Sequence, residues 1–460
     1  MNSHQQIFDS VIVGLGATGM SVVRYLAKQQ SHFAVVDSRE NPPSADELNR
    51  EYSDIPHHFG DFKTPWLSSA KQLIVNPGIA VTTSEIELAK KAGAEIIGDI
   101  ELFARQNDKP VVAITGSNGK TTVTTLLDLM AKKSGVNVGT GGNIGTPALD
   151  LLDDQHDNDD TELFILELSS YQLETTPSLQ TLAAVILNIS EDHLDRYEND
   201  LDKYAQAKAL IYNNCEHIVC NCEDAYSLRF AKQAATKNLI SFGLDEPKNG
   251  QFGLRINNGI EWLAKGNELL MPSSDVKQVG RHNIANSLAA LALGEVAGLK
   301  MAAMLEVLGE YPGMIHRTQW LANIEGVNWY NDSKGTNVGA TLAALSGLPG
   351  KTVLIAGGQG KGADFLPLQN EIKERARAVV LMGEDAKEIA NNIDSAISVI
   401  FVDNMHDAVA EAYKAADQSA QDNVLLSPAC ASFDMFDNYA VRGEVFIEEV
   451  TELTKTVSKK

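Results

Sequence analysis

Val111-Val112-Ala113-Ile114-Thr115-Gly116-Ser117-Asn118-Gly119-Lys120-Thr121-Thr122-Val123-Thr124-Thr125 decides how this chain is read. Val111 to Ile114 are apolar and form a short buried strand by pattern. A glycine-rich turn follows, and then a helical run begins at Lys120. Backbone N–H groups at such a helix start can cradle phosphate oxygens. A lysine there reaches the outer phosphates, and a hydroxyl can sit on a magnesium ion. The full phosphate-loop pattern asks for a glycine five places before Gly119. That place holds Ile114, so the loop is a shortened form. The competing reading is a plain surface turn. The lysine and two threonines that directly follow the second glycine weigh against it.

Working outward, 460 residues exceed what one core serves, so two or three domains are expected. The net charge of −23 is spread along the chain, which argues against nonspecific binding to nucleic acid or anionic membranes. Four cysteines, Cys215, Cys220, Cys222 and Cys430, fit no zinc spacing and read as reduced thiols. The first residues, MNSHQQIFDS, lack a basic start and an apolar core for export, and no apolar run reaches membrane-spanning length. A cytoplasmic protein without a membrane span is expected.

The chain opens with a strand pattern, Phe8 to Val13, running into Gly14-Leu15-Gly16-Ala17-Thr18-Gly19 and a helix from Met20 to Gln30. A second strand ends at Asp37, with Arg39 two residues on. An acid about twenty residues after such a glycine turn is a dinucleotide-type fingerprint, which also serves other nucleotides and sugars. The strand Gln72 to Val75 ends at Asn76-Pro77-Gly78, at the strand edge where ligands of α/β sheets bind. A structural domain without a ligand and a nicotinamide site are the alternatives. This first domain is expected to end at residue 98.

Around the phosphate loop, Thr140 to Gly145 form a second glycine-rich turn with Asn143 as its polar candidate. Leu163 to Leu168 is an apolar run holding one acid, Glu167. A charge inside a strand is costly unless it is paired or binds a metal. Glu167 is therefore a magnesium-ligand candidate, with a plain salt bridge as the alternative. Ser169 continues the polar loop after it. Ala183 to Leu187 is another strand, followed by Asp192-His193-Leu194-Asp195-Arg196. His193 is placed to hold a second magnesium or to cap a loop. Lys208 lies one turn after Tyr204 on a helix from Leu201 to Tyr212, where spacing suggests only harmless snorkelling. Asn257-Asn258-Gly259 reads as a hairpin turn. His282 and Asn283, at the start of an alanine- and leucine-rich helix, suit an adenine or ribose contact or simple capping.

Pro312-Gly313 breaks the helical run, and a third domain begins at residue 313. Three strand-end loops carry Lys334, Lys361 and Ser432, a cradle for a substrate carboxylate. The alternative for each is ordinary surface charge. Three ligand sites in one chain suit a ligase that activates a carboxylate with ATP and passes it to a nucleophile bound elsewhere. A nicotinamide oxidoreductase and a non-enzymatic ATP-binding scaffold are the rival classes.

The spaced motifs GSNGKTT, GGNIG, ELSSYQLE, SEDHLDRY, YAQAKALI, RHNIANSLAA, HR, NDSKGTN, GGQGKGADF and SPACASFDMF, in this order, resemble those of the Mur ligases of peptidoglycan synthesis. The resemblance covers nearly the whole chain. It implies an α/β fold of three domains: a dinucleotide-binding-like uridine-nucleotide domain (1–98), a central P-loop-type ATPase with a parallel sheet (99–312), and a Rossmann-like amino-acid-binding domain (313–460). It also implies ATP, two magnesium ions, UDP-N-acetylmuramoyl-L-alanine and D-glutamate as reactants, and a monomer. The loop Gly116, Ser117, Asn118, Gly119, Lys120, Thr121 and Thr122, with Asn283, Arg317 and Asp332, would hold ATP. Thr121, Glu167, His193 and Lys208, the last as a carbamate made with carbon dioxide, would serve the metals. Lys120, Glu167, His193 and Lys208 would be catalytic. Leu15, Ala17, Thr18, Asp37, Ser38, Arg39, Asn76, Pro77 and Gly78 would hold the uridine diphosphate, Asn143 would contact the muramoyl part, and Ser169 and His193 would also bind substrate. Lys334, Thr336, Lys361, Ser432, Phe433 and Tyr439 would form the D-glutamate pocket. The sequence departs from the family pattern at Gln359, Phe433 and Tyr439, where an aspartate, a leucine and a phenylalanine are common. A folylpolyglutamate synthetase-type ligase shares the last two domains but generally lacks the first.

Overall fold

A computed structural model describes residues 7–157, 160–192, 194–236 and 238–457. Among the described residues the strands form three sheets, each served by its own helices. Parallel strands covered on both faces read as near-continuous apolar runs. Phe33–Asp37, Val111–Thr115, Leu163–Glu167 and Thr352–Gly357 are buried at every position.

In the first sheet the order is His57–Phe59, Phe33–Asp37, Ser10–Val13, Gln72–Val75, Glu95–Ile97, all parallel. Winding reverses between Ser10–Val13 and Gln72–Val75. Such a switch point opens a crevice at the carboxyl ends of the strands. The loops Gly14–Gly19 and Asn76–Gly78 flank it. They approach so closely that a Cβ on Gly14, whose φ is +98°, would lie 2.9 Å from Asn76 Cβ.

The middle sheet has nine strands. Its parallel part runs Val138–Gly142, Leu163–Glu167, Val111–Thr115, Thr181–Ile186, Cys215–Asn221, Leu239–Phe242, Phe252–Asn257. Ile260–Lys265 and Glu268–Pro272 extend it antiparallel. The expected hairpin is there: Asn257 pairs with Ile260, and Asn258 and Gly259 both take positive φ. That backbone matches the strand twist, and Asn-Gly adopts it at low cost. Helices Lys120–Ser134 and Arg281–Val296 pack together on one face, with Leu126, Leu127, Leu288 and Leu291 in a shared core.

In the third sheet Gln319–Ile324 pairs antiparallel with Val327–Asn331, and Asn423–Leu426, Thr352–Gly357, Ala376–Met382 and Ser398–Phe401 continue in parallel. The loops after Val327–Asn331, Asn423–Leu426 and Thr352–Gly357 are neighbours, since those strands are adjacent. No described helix is long and apolar enough to cross a membrane. The four cysteines form no disulfide, and three of them are buried.

Candidate active site

The loop after Val111–Thr115 is pinned from the next strand's end. Asn118 N–H donates to Asn188 Oδ1 (2.8 Å), and Asn188 Nδ2 returns a bond to Asn118 O (3.0 Å). Ser117 Oγ donates to Ser190 O (2.9 Å) and stands 3.2 Å from the Tyr204 hydroxyl. Gly119 begins the helix with φ +84°, and a Cβ there would meet Asn286 Oδ1 at 2.5 Å, so only glycine fits. Lys120 Nζ folds back to donate to Gly116 O (2.8 Å) and Ser117 O (2.9 Å). Burial pushes its ammonium below the usual lysine range, opposed by the carboxylates of Glu167 and Asp192.

Glu167 pairs in register with Ile114, which brings its carboxylate beside the loop. It is buried, and its oxygens accept from Thr121 Oγ1 (2.9 Å) and Asn143 Nδ2 (3.0 Å). Arg317, from beyond the middle sheet, donates to Thr121 Oγ1 (3.0 Å). Thr121, Asn143, Glu167 and Arg317 are thus one hydrogen-bonded group at the start of the helix, next to Lys120. Thr122 is buried in the helix behind them. Ser169 caps the short helix Ser170–Leu173 in a capping box with Gln172.

Lys208 does not snorkel. The helix Leu201–Ala209 packs its Tyr204, Ala205 and Lys208 face inward, leaving Lys208 2% exposed. Its amine donates to Thr115 Oγ1 (3.3 Å) and lies 4.8 Å from the Tyr204 ring centre. Burial first, and the Lys120 charge second, lower its pKa well below the usual range. His193 lies outside the described residues.

Neither His282 nor Asn283 caps its helix. Gly280 occupies the cap position, Asn283 Nδ2 donates to Val279 O (2.7 Å), and His282 Nδ1 meets Ala343 O (3.1 Å) from the third domain. Asp332 is buried and accepts from Thr318 N–H (3.0 Å) and Ser427 Oγ (2.7 Å); burial raises its pKa to about 6. Lys334 stands 3.9 Å over the Tyr439 ring. Burial, then the Arg317 and Lys120 charges, lower it to about 8. The segment after Lys334 approaches the loop of Asn118: a Cβ on Gly339 would lie 2.9 Å from Ser190 Oγ and 3.5 Å from Asn118 Nδ2. Thr336 is half-buried beside it and Ser432 is buried. Lys361 and Phe433 are exposed, with the ammonium 5.1 Å from the ring centre.

In the first domain, burial pushes Asp37 up, but hydrogen bonds from Arg39 and Leu15 outweigh it and hold the carboxyl below its usual range. Arg39 grips both oxygens (2.9 and 2.7 Å), and Leu15 N–H donates to one of them (2.7 Å). Asp37 therefore organises the glycine turn and orients Arg39, whose side chain is 52% exposed. Ala17, Ser38 and Gly78 are exposed, and Thr18, Asn76 and Pro77 half-buried, around the crevice.

Sequence reasoning assigned no role to Tyr204, Asn188 or Arg442. Asn188 was visible as a polar residue at a strand end. Arg442 is 1% exposed and donates to Ser333 O (2.8 Å), Ser333 Oγ (3.0 Å) and Cys430 O (3.1 Å), tying together the loops of Lys334 and Ser432. Its place in a charged helical tail gave no signal of that.

Three family models match: the Mur ligase MurD-like N-terminal domain over residues 8–98, the Mur ligase middle domain over 114–294, and the Mur ligase glutamate ligase domain over 316–430. The UDP-N-acetylmuramoylalanine–D-glutamate ligase of Nitrosococcus oceani is 48% identical over 447 residues, which is 96% of this chain and 96% of that one. The protein of the same name from Pseudomonas syringae pv. tomato is 49% identical over 444 residues, 96% of this chain and 97% of its own. Among solved structures, the type C pseudomurein peptide ligase of Methanothermus fervidus superposes with TM-score 0.58 at 17% identity, covering 97% of this chain and 100% of that one. MurF from Acinetobacter baumannii gives 0.59 at 15%, covering 97% and 92%. At such identities the likeness to these structures is one of fold.

Proposed function

The chain belongs to the Mur ligase family, and from that premise we infer that it is an ATP-dependent carbon–nitrogen ligase joining D-glutamate to UDP-N-acetylmuramoyl-L-alanine, a step in peptidoglycan precursor synthesis. The observation that carries the reading is near-half identity along nearly the full length of ligases of that name. The convergence of Lys120, Glu167 and Arg317 on one loop supports it.

The alanine carboxylate attacks the γ-phosphorus of ATP, ADP leaves, and an acyl phosphate forms. The D-glutamate amine then adds to the acyl carbon, and phosphate departs with the amide left behind. Lys120 supplies the cation that meets charge on the transferring phosphoryl group. The N–H groups of Gly116, Ser117, Asn118, Gly119, Thr121 and Thr122 cradle the remaining phosphate oxygens. Asn283, Arg317 and Asp332 are the proposed contacts of the adenosine and phosphates. Asn143 orients Glu167 and, with Ser169, faces the muramoyl part, while Glu167 stands ready to receive a proton from the incoming amine. Lys334, Thr336, Lys361, Ser432, Phe433 and Tyr439 are assigned to D-glutamate. Leu15, Ala17, Thr18, Asp37, Ser38, Arg39, Asn76, Pro77 and Gly78 are assigned to the uridine diphosphate.

The donor set suits magnesium: the Thr121 hydroxyl and Glu167 carboxylate are hard oxygen ligands, with His193 assigned to a second ion. Magnesium held there would neutralise phosphate charge and polarise the γ-phosphoryl group. A buried amine kept neutral is the form that adds carbon dioxide. Lys208, whose burial favours that form, would release one proton on becoming a carbamate and would add anionic oxygens to the proposed donor set. The domain division at 98/99 and 312/313, the dinucleotide-binding-like, P-loop-type and Rossmann-like character of the three parts, a cytoplasmic location and a monomeric state belong to the same proposal. The parallel sheets with loops at their carboxyl ends support the three-part character.

The test is phosphate release from ATP with UDP-N-acetylmuramoyl-L-alanine while only the amino acid is varied. D-glutamate should stimulate release above L-glutamate, D-alanine, lysine and diaminopimelate. Equal stimulation by another of these would remove the substrate assignment.

A further inference from the structure

Arg196 closes the turn Leu194–Tyr197 in the middle domain, yet its guanidinium is spent on the first domain's loop. Nη1 donates to Pro77 O (2.9 Å), and Nη2 to Ile79 O (3.1 Å) and Glu174 Oε2 (3.3 Å). The group stacks 4.0 Å from the centre of the Tyr171 ring. Its side chain is only 12% exposed, and that of Glu174 18%. Glu174 balances the charge, so what Arg196 offers the loop is geometry. In a trans peptide the C=O and the following N–H point in opposite directions, and the chain contains no cis bond among the described residues. Fixing Pro77 C=O and Ile79 C=O toward Arg196 therefore turns the N–H groups of Gly78 and Ala80 away from it. Gly78 is exposed, and among the described residues its N–H has a single long contact, to Asn76 Oδ1 (3.4 Å). The same loop forms one wall of the crevice, against Gly14.

We propose that Arg196 is a positioning residue for the uridine substrate: it reaches across the domain boundary and sets the Asn76–Ala80 loop so that its amides meet the diphosphate end. This rests on the assignment of that loop to the uridine diphosphate. A planar fork can hold two carbonyls at once, and an ammonium cannot hold both in the same geometry.

The experiment compares wild type, Arg196→Ala, Arg196→Lys and Glu174→Gln by steady-state kinetics, with melting temperatures measured alongside. Hydrogen bonds from a charged donor predict that Arg196→Ala raises KM for UDP-N-acetylmuramoyl-L-alanine roughly tenfold or more. The KM values for ATP and D-glutamate should stay near wild type, and Arg196→Lys should recover part of the loss. Glu174→Gln should shift the same constant less, and it carries the test should Arg196→Ala fail to fold. An unchanged KM for the uridine substrate overturns the proposal, as does a parallel rise in all three constants, the mark of a merely structural role. A wild type that shows no D-glutamate-dependent turnover removes the functional reading itself. An active wild type with indifferent variants removes only this inference.

Discussion

Lys120→Ala should lower kcat by on the order of 10³-fold, the range seen when a donor aimed at developing transition-state charge is deleted. The lysine already lies along the loop, bonded to Gly116 O and Ser117 O, so ATP exchanges one set of acceptors for another without a large search by the side chain. Stability should change little. Lys120 is the first residue of its helix, and alanine is the best helix former. The residue as a whole is half-buried, and its ammonium bonds two backbone carbonyls of the loop. Steady-state turnover with a melting curve checks both parts. A variant that melts as wild type and turns over normally would show that the outer phosphates are handled elsewhere.

The second large effect is expected at Lys208. Lys208→Met keeps the apolar stem in a site that is 2% exposed and removes only the amine. If the residue serves as a carbamate, kcat should fall on the order of 10²-fold or more, because the group proposed to hold magnesium loses an anionic oxygen donor. In wild type, 13C-bicarbonate should give a carbamate carbon resonance that is absent from the variant. Burial and the Lys120 charge both favour the neutral amine, the form that reacts with carbon dioxide. A fully active Lys208→Met protein would end the carbamate reading. A reduced activity without the resonance would make Lys208 a neutral hydrogen-bond donor to Thr115 instead.

The contrast between these two lysines shows what a sequence discloses. Lys120 sits in a local pattern, strand, glycine turn, helix start, whose chemistry is written within a dozen residues. Glu167 was visible because one acid in an apolar strand demands a partner, and Thr121 and Asn143 provide it. The Asn258-Gly259 hairpin was likewise local. Lys208 was misread because helical spacing names the face a residue shares but not what packs on it. Only the sheet order, with Val111–Thr115 beside Thr181–Ile186, decides that the face of Tyr204 and Lys208 is buried under the phosphate loop. Ser117 and Tyr204 are 87 residues apart, and Ser333 and Arg442 109, so no window along the chain joins them. The capping alternative for His282 and Asn283 gave way to Gly280 because the helix enters from a positive-φ residue. His282 is spent instead on the third domain through Ala343.

Transfer of the γ-phosphoryl group to a carboxylate, rather than to water or directly to an amine, is the claim on which the other assignments depend. UDP-N-acetylmuramoyl-L-alanine carrying 18O in both alanine carboxylate oxygens tests it in a single turnover with ATP and D-glutamate. One labelled oxygen should leave in the inorganic phosphate and the other should remain in the new amide. Product formation with phosphate free of 18O would contradict the account.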